Sequence, residues 1–322
     1  MLHRRQFLAG TAGLLAVPAL SSLPAFAQAG VAIGYSVPDT TNPFLGWLTG
    51  EVKKLAEADG LRLEIADAGM SPVKQMEQIE NFIAMQVKVI DIMPVDPNNV
   101  QEIIQRAQSQ GIKVLVAGTD TTYYDVMMNM DQYNCGEQIA EMAIDWLGQA
   151  GLAEGKPKVL VIGATDTVDA KNRTTGIIDK INAWGGANVV VSPTEAKTTA
   201  AGTSVMETLW LQNPDAVAVL TYNADAAMGV NEYMMGQPSL DKAKFGVFSG
   251  DWSPPIQETI DASTTGGSVY RGTMQIVGPQ LNGEQVDLPV ATYTLLKDLH
   301  DGNVTYGKWI KDSIAKATAK QG

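Results

Sequence analysis

The sequence predicts an α/β protein made of two doubly wound lobes, each a parallel sheet covered by helices on both faces. The main observation is an alternation of short runs rich in β-branched residues with longer segments of helical period. The strand-like runs lie at 31–36, 61–66, 89–93, 113–117, 158–162, 189–192, 216–221 and 245–249. Such alternation is typical of parallel sheets with helices on both faces. Because eight such units exceed what one open sheet usually holds, we expect two sheets.

The helices between these strands are predicted from two local signals. The segment 135–150 has apolar side chains at helical spacing along one face, namely Cys135, Ile139, Met142, Ala143, Trp146 and Leu147. Three helix starts are predicted where a capping side chain precedes a proline, because proline suits the first helical position. These pairs are Ser71 with Pro72, Asp96 with Pro97, and Ser253 with Pro254. Both signals support the alternation independently of the strand pattern.

Residues 1–27 have the composition of an export signal peptide. Arg4 and Arg5 precede an uncharged apolar stretch at 9–20, and the small-residue triplet 25–27 resembles a cleavage site. The apolar stretch is too short to span a bilayer. The arginine pair is similar to that of twin-arginine signals, and an ordinary secretory signal that contains two arginines is the alternative. Both alternatives predict a mature protein in the periplasm.

The charge and the cysteine content exclude several classes of protein. The chain carries a formal net charge of −12, and removal of residues 1–27, which hold two arginines and no acids, changes it to −14. A chain this acidic repels phosphate backbones and anionic lipids, which disfavours nucleic acid and membrane-surface partners. The single cysteine, Cys135, rules out an internal disulfide, so stability must come from core burial.

Polar and aromatic side chains follow several of the predicted strands. In open parallel sheets, ligands bind beyond the carboxyl ends of the strands, so these residues form the candidate binding site. The candidates are Asn42 and Phe44 after the first strand, Asp120 after the fourth, Arg173 after the fifth, Tyr222 and Asn223 after the seventh, Asp251 and Trp252 after the eighth, and Arg271 in a later short run. Carboxylate, amide and guanidinium forks bind adjacent hydroxyls, and aromatic rings cover the C–H faces of a sugar. The combination predicts a site for a monosaccharide or a related polyol.

Several short segments, in the same order along the chain, together resemble a known family. They are 42–44, 130–136, 173–176, 223–225, 228–229 and 250–251. The chain is similar in these segments to the periplasmic binding proteins for ribose, galactose and xylose, the extracytoplasmic receptors of ABC importers, and the resemblance covers about residues 31–296. It implies the type I periplasmic binding fold, with two lobes joined by a three-segment hinge that closes on the ligand. It also implies binding without chemistry, a membrane permease as partner, and a monomer without cofactor or metal.

The resemblance further implies lobe boundaries and ligand contacts. The N-terminal lobe is expected to comprise 31–130 and 272–291, and the C-terminal lobe 131–271 and 292–322, with crossings near 130–131, 271–272 and 291–292. From its own residues, the stretch 298–322 is predicted to be a strand exit followed by a surface helix that packs on one lobe through Trp309 and Ile310. Ligand contacts are implied for Asn42, Phe44, Arg173, Asn223 and Asp251, and Arg271 stands where ribose-type members commonly carry a glutamine.

Departures from the family pattern leave the ligand open. Many members have an Asp-Arg pair after the fourth strand, where this chain has Gly118 and Thr119 followed by Asp120. The usual aromatic pair after the first strand is reduced to Phe44, so ribose itself is not the expected ligand. Arg173 and Arg271 together favour a sugar acid as one alternative. A non-sugar signalling molecule and a ligand carrier for a chemoreceptor are further alternatives.

Other interpretations of the same residues are less favoured. Asn42 precedes a proline and is also typical of a turn, and Asp251 is also placed to cap the helix after Ser253. An enzyme is disfavoured because the only histidines are His3 and His300 and no Gly-x-Gly-x-x-Gly follows a strand. A sugar-responsive transcriptional regulator shares the two-lobed core, but such regulators begin with a DNA-binding helix-turn-helix where this chain has the pattern of an export signal.

Overall fold

The computed structural model describes residues 30–303 and 306–320, so the predicted signal peptide at 1–27 lies outside the described residues. The first elements along the chain form the N-terminal lobe. Its elements are β1 (Ile33–Val37), α1 (Pro43–Ala58), β2 (Leu63–Asp67), α2 (Pro72–Ala84), β3 (Val89–Ile92), α3 (Gln101–Ser109), β4 (Lys113–Ala117) and β5 (Val126–Asn129). All five strands form parallel pairs with their neighbours in this lobe, as the predicted alternation requires.

The C-terminal lobe repeats the same architecture. Its elements are α4 (Gln132–Gln149), β6 (Lys158–Ile162), α5 (Val168–Trp184), β7 (Asn188–Val191), α6 (Thr199–Gln212), β8 (Ala216–Thr221), α7 (Ala224–Met235), β9 (Gly246–Ser249) and α8 (Pro254–Ala262). The chain then continues through β10 (Tyr270–Leu281), β11 (Glu284–Gln285), α9 (Leu288–Asp301) and β12 (Trp309–Thr318). The predicted α/β class with two doubly wound parallel sheets is confirmed.

The two sheets meet at the long strands β10 and β12. The strand order is β2-β1-β3-β4-β5-β12-β10-β9-β8-β6-β7. The start of β12 pairs with β5 in parallel, and the rest of β12 pairs antiparallel with β10, which itself pairs with β9. The lobes are therefore connected by strands, and β10 carries a bulge between Ile276 and Gly278, beyond its last pairing with β9 at Thr273.

Apolar side chains fill both faces of each sheet. In the N-terminal lobe, Ile33, Leu48 and Leu295 belong to one core cluster, and Ile79, Ile90 and Ile104 to the other. In the C-terminal lobe, Met206, Val230 and Ile260 belong to one cluster, and Ile139, Val161 and Ile177 to the other. Each lobe thus has its own core, which leaves the cleft between the lobes available for polar groups.

Two expectations about the end of the chain are wrong. Helix α9 packs against α1, and Leu288, Leu295 and Leu296 belong to the N-terminal core, so the chain does not cross at 291–292. The predicted surface helix through Trp309 and Ile310 is the strand β12. Its pairing along β10 outweighs the helical preference of its alanines and lysines. Strand β10 pairs with β9 as far as Thr273, and the crossing expected near 271–272 stays a prediction.

The proline signals have mixed outcomes. Helix α2 begins at Pro72, and the Ser71 side chain accepts a hydrogen bond from the main-chain N–H of Lys74 at 3.2 Å. Helix α8 begins at Pro254, but Ser253 forms no side-chain cap. No helix begins at Pro97, because Asp96 forms a local turn by accepting from the N–H of Asn98.

Among the described residues, no helix has both the length and the apolarity needed to cross a bilayer.

Candidate functional site

A cavity of about 410 Å³ lies between the lobes at the carboxyl ends of their strands. The N-terminal lobe contributes residues that follow β1, β3 and β4, including Pro38, Asn42, Phe44, Met93 and Gly118. The C-terminal lobe contributes Arg173, Lys197, Tyr222, Asn223, Asp225 and Asp251, and the connecting strands contribute Asn129, Ile276 and Asp312. A cavity of this size is suited to a small ligand such as a monosaccharide.

Arg173 is the centre of the polar network on the C-terminal side. Its side chain is almost fully buried, and its Nε donates a hydrogen bond to Oε1 of Gln132 at 2.9 Å. Its Nη1 donates to the main-chain oxygen of Tyr222 and to Oδ1 of Asp251, both at 3.1 Å. The guanidinium also lies 4.7 Å from the centre of the Tyr222 ring. These contacts fix the orientation of both Arg173 and Asp251 at the cavity wall.

Helices α4 and α5 approach each other closely enough to build this network. A Cβ at Gly136 would collide with the main chain at Arg173, and one at Gly176 would collide with the main chain at Tyr133. Glycine permits the close approach because it has no side chain. The approach brings Gln132, in the first turn of α4, within hydrogen-bonding distance of Arg173. Two of the segments that carried the family resemblance, 130–136 and 173–176, therefore have a packing role.

Asn42 performs two tasks at the start of α1. Its Oδ1 accepts a hydrogen bond from the main-chain N–H of Leu45 at 2.9 Å, which caps the helix. Its Nδ2 donates across the cleft to Oδ2 of Asp225 in the opposite lobe. Burial, together with the nearby charges of Asp251 and Asp39, raises the pKa of Asp225 to about 7, while the hydrogen bond from Asn42 acts in the opposite direction. Asn42 thus links the lobes directly.

Asn223 lines the cavity, but both ends of its side chain are held within its own lobe. Its Oδ1 accepts from the N–H of Ala226 at 3.0 Å and caps α7, and its Nδ2 donates to the main-chain oxygen of Lys197 at 2.9 Å. Asn223 therefore positions the start of α7, which carries Asp225 into the cavity wall. Tyr222 lines the cavity next to it, beneath the Arg173 guanidinium.

Aromatic rings from the two lobes meet beside the cavity. Phe44 lines the cavity and lies 6.2 Å from Trp47, measured between ring centres. Trp47 in turn contacts Trp252 of the other lobe edge to face, with ring centres 5.4 Å apart and ring planes at 89°. The Trp252 Nε1 donates to Oε1 of Gln257 at 2.9 Å. Trp252, predicted as a ligand contact, lies outside the cavity lining and contacts the opposite lobe instead.

Asp120 also lies next to the cavity lining and not in it. Its main-chain N–H donates to Oδ2 of Asp169 in α5 at 3.1 Å, and its carboxylate accepts from Nδ2 of Asn129 at 2.9 Å. Asn129 also donates to Asp169 at 3.2 Å. The three side chains therefore connect the loop after β4 to the C-terminal lobe near the first crossing. The ligand contact expected of Asp120 stays a prediction.

Arg271 does not belong to the site, which corrects the expectation that it contacts the ligand. Its guanidinium donates to the main-chain oxygens of Phe245, Ser263 and Lys242, and it lies 5.7 Å from the ring centre of Trp146. These acceptors lie at the start of β9 and around it, whereas the cavity lies beyond the end of that strand. The side chain is directed to the opposite end of the sheet because β10 runs parallel to β9 at this point.

Several lining residues were not among the predicted contacts. Asp225 is two residues beyond Asn223, within a segment that carried the resemblance, and Gln132 lies within another, so the sequence held a signal for both. Lys197 and Asp312 had no such signal, because their position depends on the packing of α6 and on the pairing of β12. Among the described residues, no group of three or more potential metal ligands occurs.

Comparison with known proteins identifies related families and folds. A family profile described as periplasmic binding protein domain matches residues 33–276. The ribose import binding protein of Bacillus subtilis is 27% identical over 205 residues, a match that covers 62% of this chain and 64% of that protein, just under two thirds of its length. The ribose import binding protein of Salmonella typhimurium is 26% identical over 251 residues, which cover 77% of this chain and 82% of that protein.

Solved structures show the same fold. An ABC transporter solute binding protein from Mycobacterium smegmatis with bound glycerol matches with a TM-score of 0.73 and 21% identity, covering 90% of this chain and 94% of that chain. The periplasmic binding component of the arabinose ABC transporter from Shewanella sp. ANA-3, bound to α- and β-L-arabinofuranose, matches with a TM-score of 0.70 and 18% identity over 88% of this chain and 91% of that chain.

Proposed function

The chain belongs to the periplasmic binding protein domain family, and from that membership we propose that it is the sugar-binding component of an ABC importer. In this role it captures a monosaccharide or a related polyol between its lobes and delivers the molecule unchanged to a membrane permease. Members of the family bind solutes and are not enzymes, so we propose no chemical step. The ribose and arabinose named for the relatives support the sugar class.

The observation that carries the proposal is the polar wall of the cavity. Arg173, Asp251 and Asp225 present planar groups to a cavity of monosaccharide size, and Phe44 contributes an aromatic surface. Planar forks bind pairs of neighbouring hydroxyls, and an aromatic ring packs against the C–H face of a sugar ring. The anionic alternative loses its support, because it required Arg271 beside Arg173 and Arg271 lies elsewhere.

Closure of the lobes is the proposed mechanism. The hydrogen bond from Asn42 to Asp225 and the contact between Trp47 and Trp252 both join residues of opposite lobes. A ligand that contacts both walls stabilises this closed arrangement relative to an open one, and that difference in free energy is sufficient to drive closure. We propose that the closed form is recognised by the permease, and that the protein acts in the periplasm as a monomer.

A thermal-shift screen of the purified protein tests the proposal. The panel contains D-ribose, L-arabinose, D-galactose, D-xylose, myo-inositol and glycerol, each at several concentrations up to the millimolar range. A ligand at one hundred times its dissociation constant stabilises the fold by about 2.7 kcal/mol. For a protein of this size we expect an increase in Tm of about 5 °C. Calorimetric titration of each hit then gives the affinity, and chromatography of the released sugar checks that it is unchanged. No shift with any sugar or polyol would contradict the proposal.

A further inference from the structure

The cavity lining contains more acidic side chains than basic ones. Among the described residues in the lining, the carboxyl groups are those of Asp39, Asp225, Asp251 and Asp312, and the cations are Arg173 and Lys197. Both cations already have acidic partners. Arg173 pairs with Asp251 at 3.1 Å, and Lys197 pairs at 2.6 Å with Asp166, which is not part of the lining. Asp225 and Asp312 have no cationic partner in the described part of the chain.

Asp312 is the less expected of these two carboxyls. It lies on β12, directly after the stretch of that strand that pairs with β5, and it faces the cavity from the junction of the lobes. Its side chain is only 7% exposed, and its Oδ1 has no hydrogen-bond partner among the described residues. Buried polar atoms in proteins are nearly always hydrogen-bonded. Asp312 therefore brings to the cavity wall a carboxyl group whose hydrogen-bonding capacity the described residues leave unfilled.

Asp225 adds to the same excess of negative charge. It is 9% exposed, and the amide of Asn42 is the donor that contacts its side chain. Burial raises the pKa of Asp312 to about 7, and burial with the neighbouring acids raises that of Asp225 to a similar value. Both shifts have the direction expected where carboxylates lack a cation, so a cationic group brought into the cavity would relieve the cost of their ionisation.

We propose that Asp312 is a ligand-binding residue that accepts a hydrogen bond from a protonated amine, and that the cavity prefers an amine-bearing sugar or polyol to its uncharged parent and to its carboxylate form. This inference rests on the proposed function and specifies the ligand class of the same site. A ligand carboxylate would meet two carboxyls without cations, and it would find the Arg173 guanidinium already paired with Asp251. An ammonium group balances the charge and supplies donors to the Asp312 carboxyl group.

Matched ligand series test the preference without any mutation. D-galactose, D-galactosamine and D-galacturonate form one series, D-glucose, D-glucosamine and D-glucuronate a second, and myo-inositol with an amino-inositol a third. Affinities are measured by calorimetric titration at pH 7.5 and constant ionic strength. We expect at least one amine to bind about tenfold more tightly than its parent, the scale of one charge-assisted hydrogen bond. We expect both acids to bind more weakly than their parents. Amines that bind no better than any parent, or acids that bind as well as the parents, would overturn the inference.

Two asparagine variants test the residue. Asp312→Asn keeps the shape of the side chain and removes its charge, so we expect the ratio of amine to parent affinity to fall to about one. Asp91→Asn is the matched control, because Asp91 is also a buried carboxyl with unpartnered oxygens but lies in β3 outside the cavity lining. We expect the control to keep the wild-type ratio. An unchanged ratio in Asp312→Asn would assign the preference to another residue and overturn the role of Asp312.

The results separate this inference from the proposed function. If no sugar in any form binds, the proposed function itself fails. If uncharged sugars bind tightly and affinity does not depend on the charge of the ligand in any of the three series, the proposed function stands and the inference fails. The ligand series remain decisive even if the Asp312→Asn variant does not fold, because they use the wild-type protein.

Discussion

The two walls of the cleft differ in composition although the lobes share one architecture. The N-terminal wall consists largely of apolar surface and uncharged polar groups, including Pro38, Asn42, Phe44, Leu45 and Met93. The C-terminal wall carries the charged side chains of Arg173, Lys197, Asp225 and Asp251. Equivalent positions beyond the strand ends therefore carry mostly uncharged side chains in the N-terminal lobe and charged side chains in the C-terminal lobe.

The difference indicates a division of roles. On the C-terminal wall, Arg173 holds Asp251 and is itself held by Gln132, so these groups keep their positions through contacts within the protein. Polar groups positioned in this way bind a ligand without a further loss of side-chain freedom. The N-terminal wall provides shape, an aromatic face and the cross-cleft contact of Asn42. We expect the C-terminal wall to determine which ligand binds and the N-terminal wall to determine how firmly the cleft closes.

Removal of the central guanidinium should have the largest effect. Arg173→Met keeps most of the apolar stem but leaves Asp251 and Gln132 without their donor, and breaking one side of a buried ion pair costs about 3–5 kcal/mol. We expect urea unfolding to show a loss near the lower end of that range, because Asp251 is partly accessible, and calorimetry to show no binding. Arg106→Met is the control, since Arg106 pairs with Glu80 on the surface and such pairs contribute at most about 1 kcal/mol. Equal losses in the two variants would contradict the central role of Arg173.

The buried acid on the same wall predicts a dependence of stability on pH. The pKa of Asp225 is raised to about 7 in the folded protein, above its ordinary value near 4 in the unfolded chain. The folded state therefore holds this proton more tightly. Its contribution to stability is complete below about pH 4 and is lost as the pH rises to about 7.

Asp225→Asn tests this prediction, because it removes the titrating group while its Oδ1 remains able to accept a hydrogen bond from Asn42. We expect the variant to be more stable than the wild type at pH 8 by about 2 kcal/mol, and the difference to vanish near pH 4. Chemical unfolding at each pH measures it. Asp312 is present in both proteins, so its own titration cancels in the comparison. A difference that does not change between pH 4 and pH 8 would contradict the raised pKa.

A change on the N-terminal wall should weaken binding with little loss of stability. Asn42→Ser keeps a side-chain oxygen that caps α1 but is too short to reach Asp225, so it removes only the cross-cleft contact. We expect affinity to fall about tenfold, the scale of a hydrogen bond to a charged group, while the free energy of unfolding changes by less than about 0.5 kcal/mol. Asn42→Ala should lose the cap as well, at a further cost of about 1 kcal/mol in stability. If the serine variant binds like the wild type, the contact does not contribute to closure.

The sequence predicted the strands within each lobe better than the strands that connect the lobes. All eight predicted runs overlap strands, and the buried ones, such as β3 and β6, show themselves as continuous apolar runs. Besides the two-residue β11, the unpredicted strands are β5, β10 and β12, which join the lobes. Strand β5 contains only four residues, two of them methionine, and β12 is rich in alanine and lysine, so neither carries a strong strand pattern.

The candidate site shows the same limit. Asn42, Tyr222, Asn223 and Asp251 line one cavity because each follows a strand end, a feature that the alternation made visible, and Arg173 reaches it from within α5. The misplaced candidates depended on distant contacts. Trp252 is directed towards Trp47, and Arg271 towards carbonyl oxygens at the opposite end of the sheet. Such directions follow from three-dimensional packing, which local sequence does not encode.

The smallest expected effect concerns the aromatic contact between the lobes. Edge-to-face pairs contribute about 0.5–1.5 kcal/mol beyond their area, so Trp252→Leu should lower affinity about threefold to fivefold. The single variant also removes the hydrogen bond to Gln257, so a double-mutant cycle with Trp47→Leu is needed to isolate the pair. Calorimetric titration of the four proteins gives the coupling energy for binding, and Trp309→Leu, which changes an exposed tryptophan outside the cavity lining, is the control. A coupling energy near zero would mean that the two rings touch without contributing to closure.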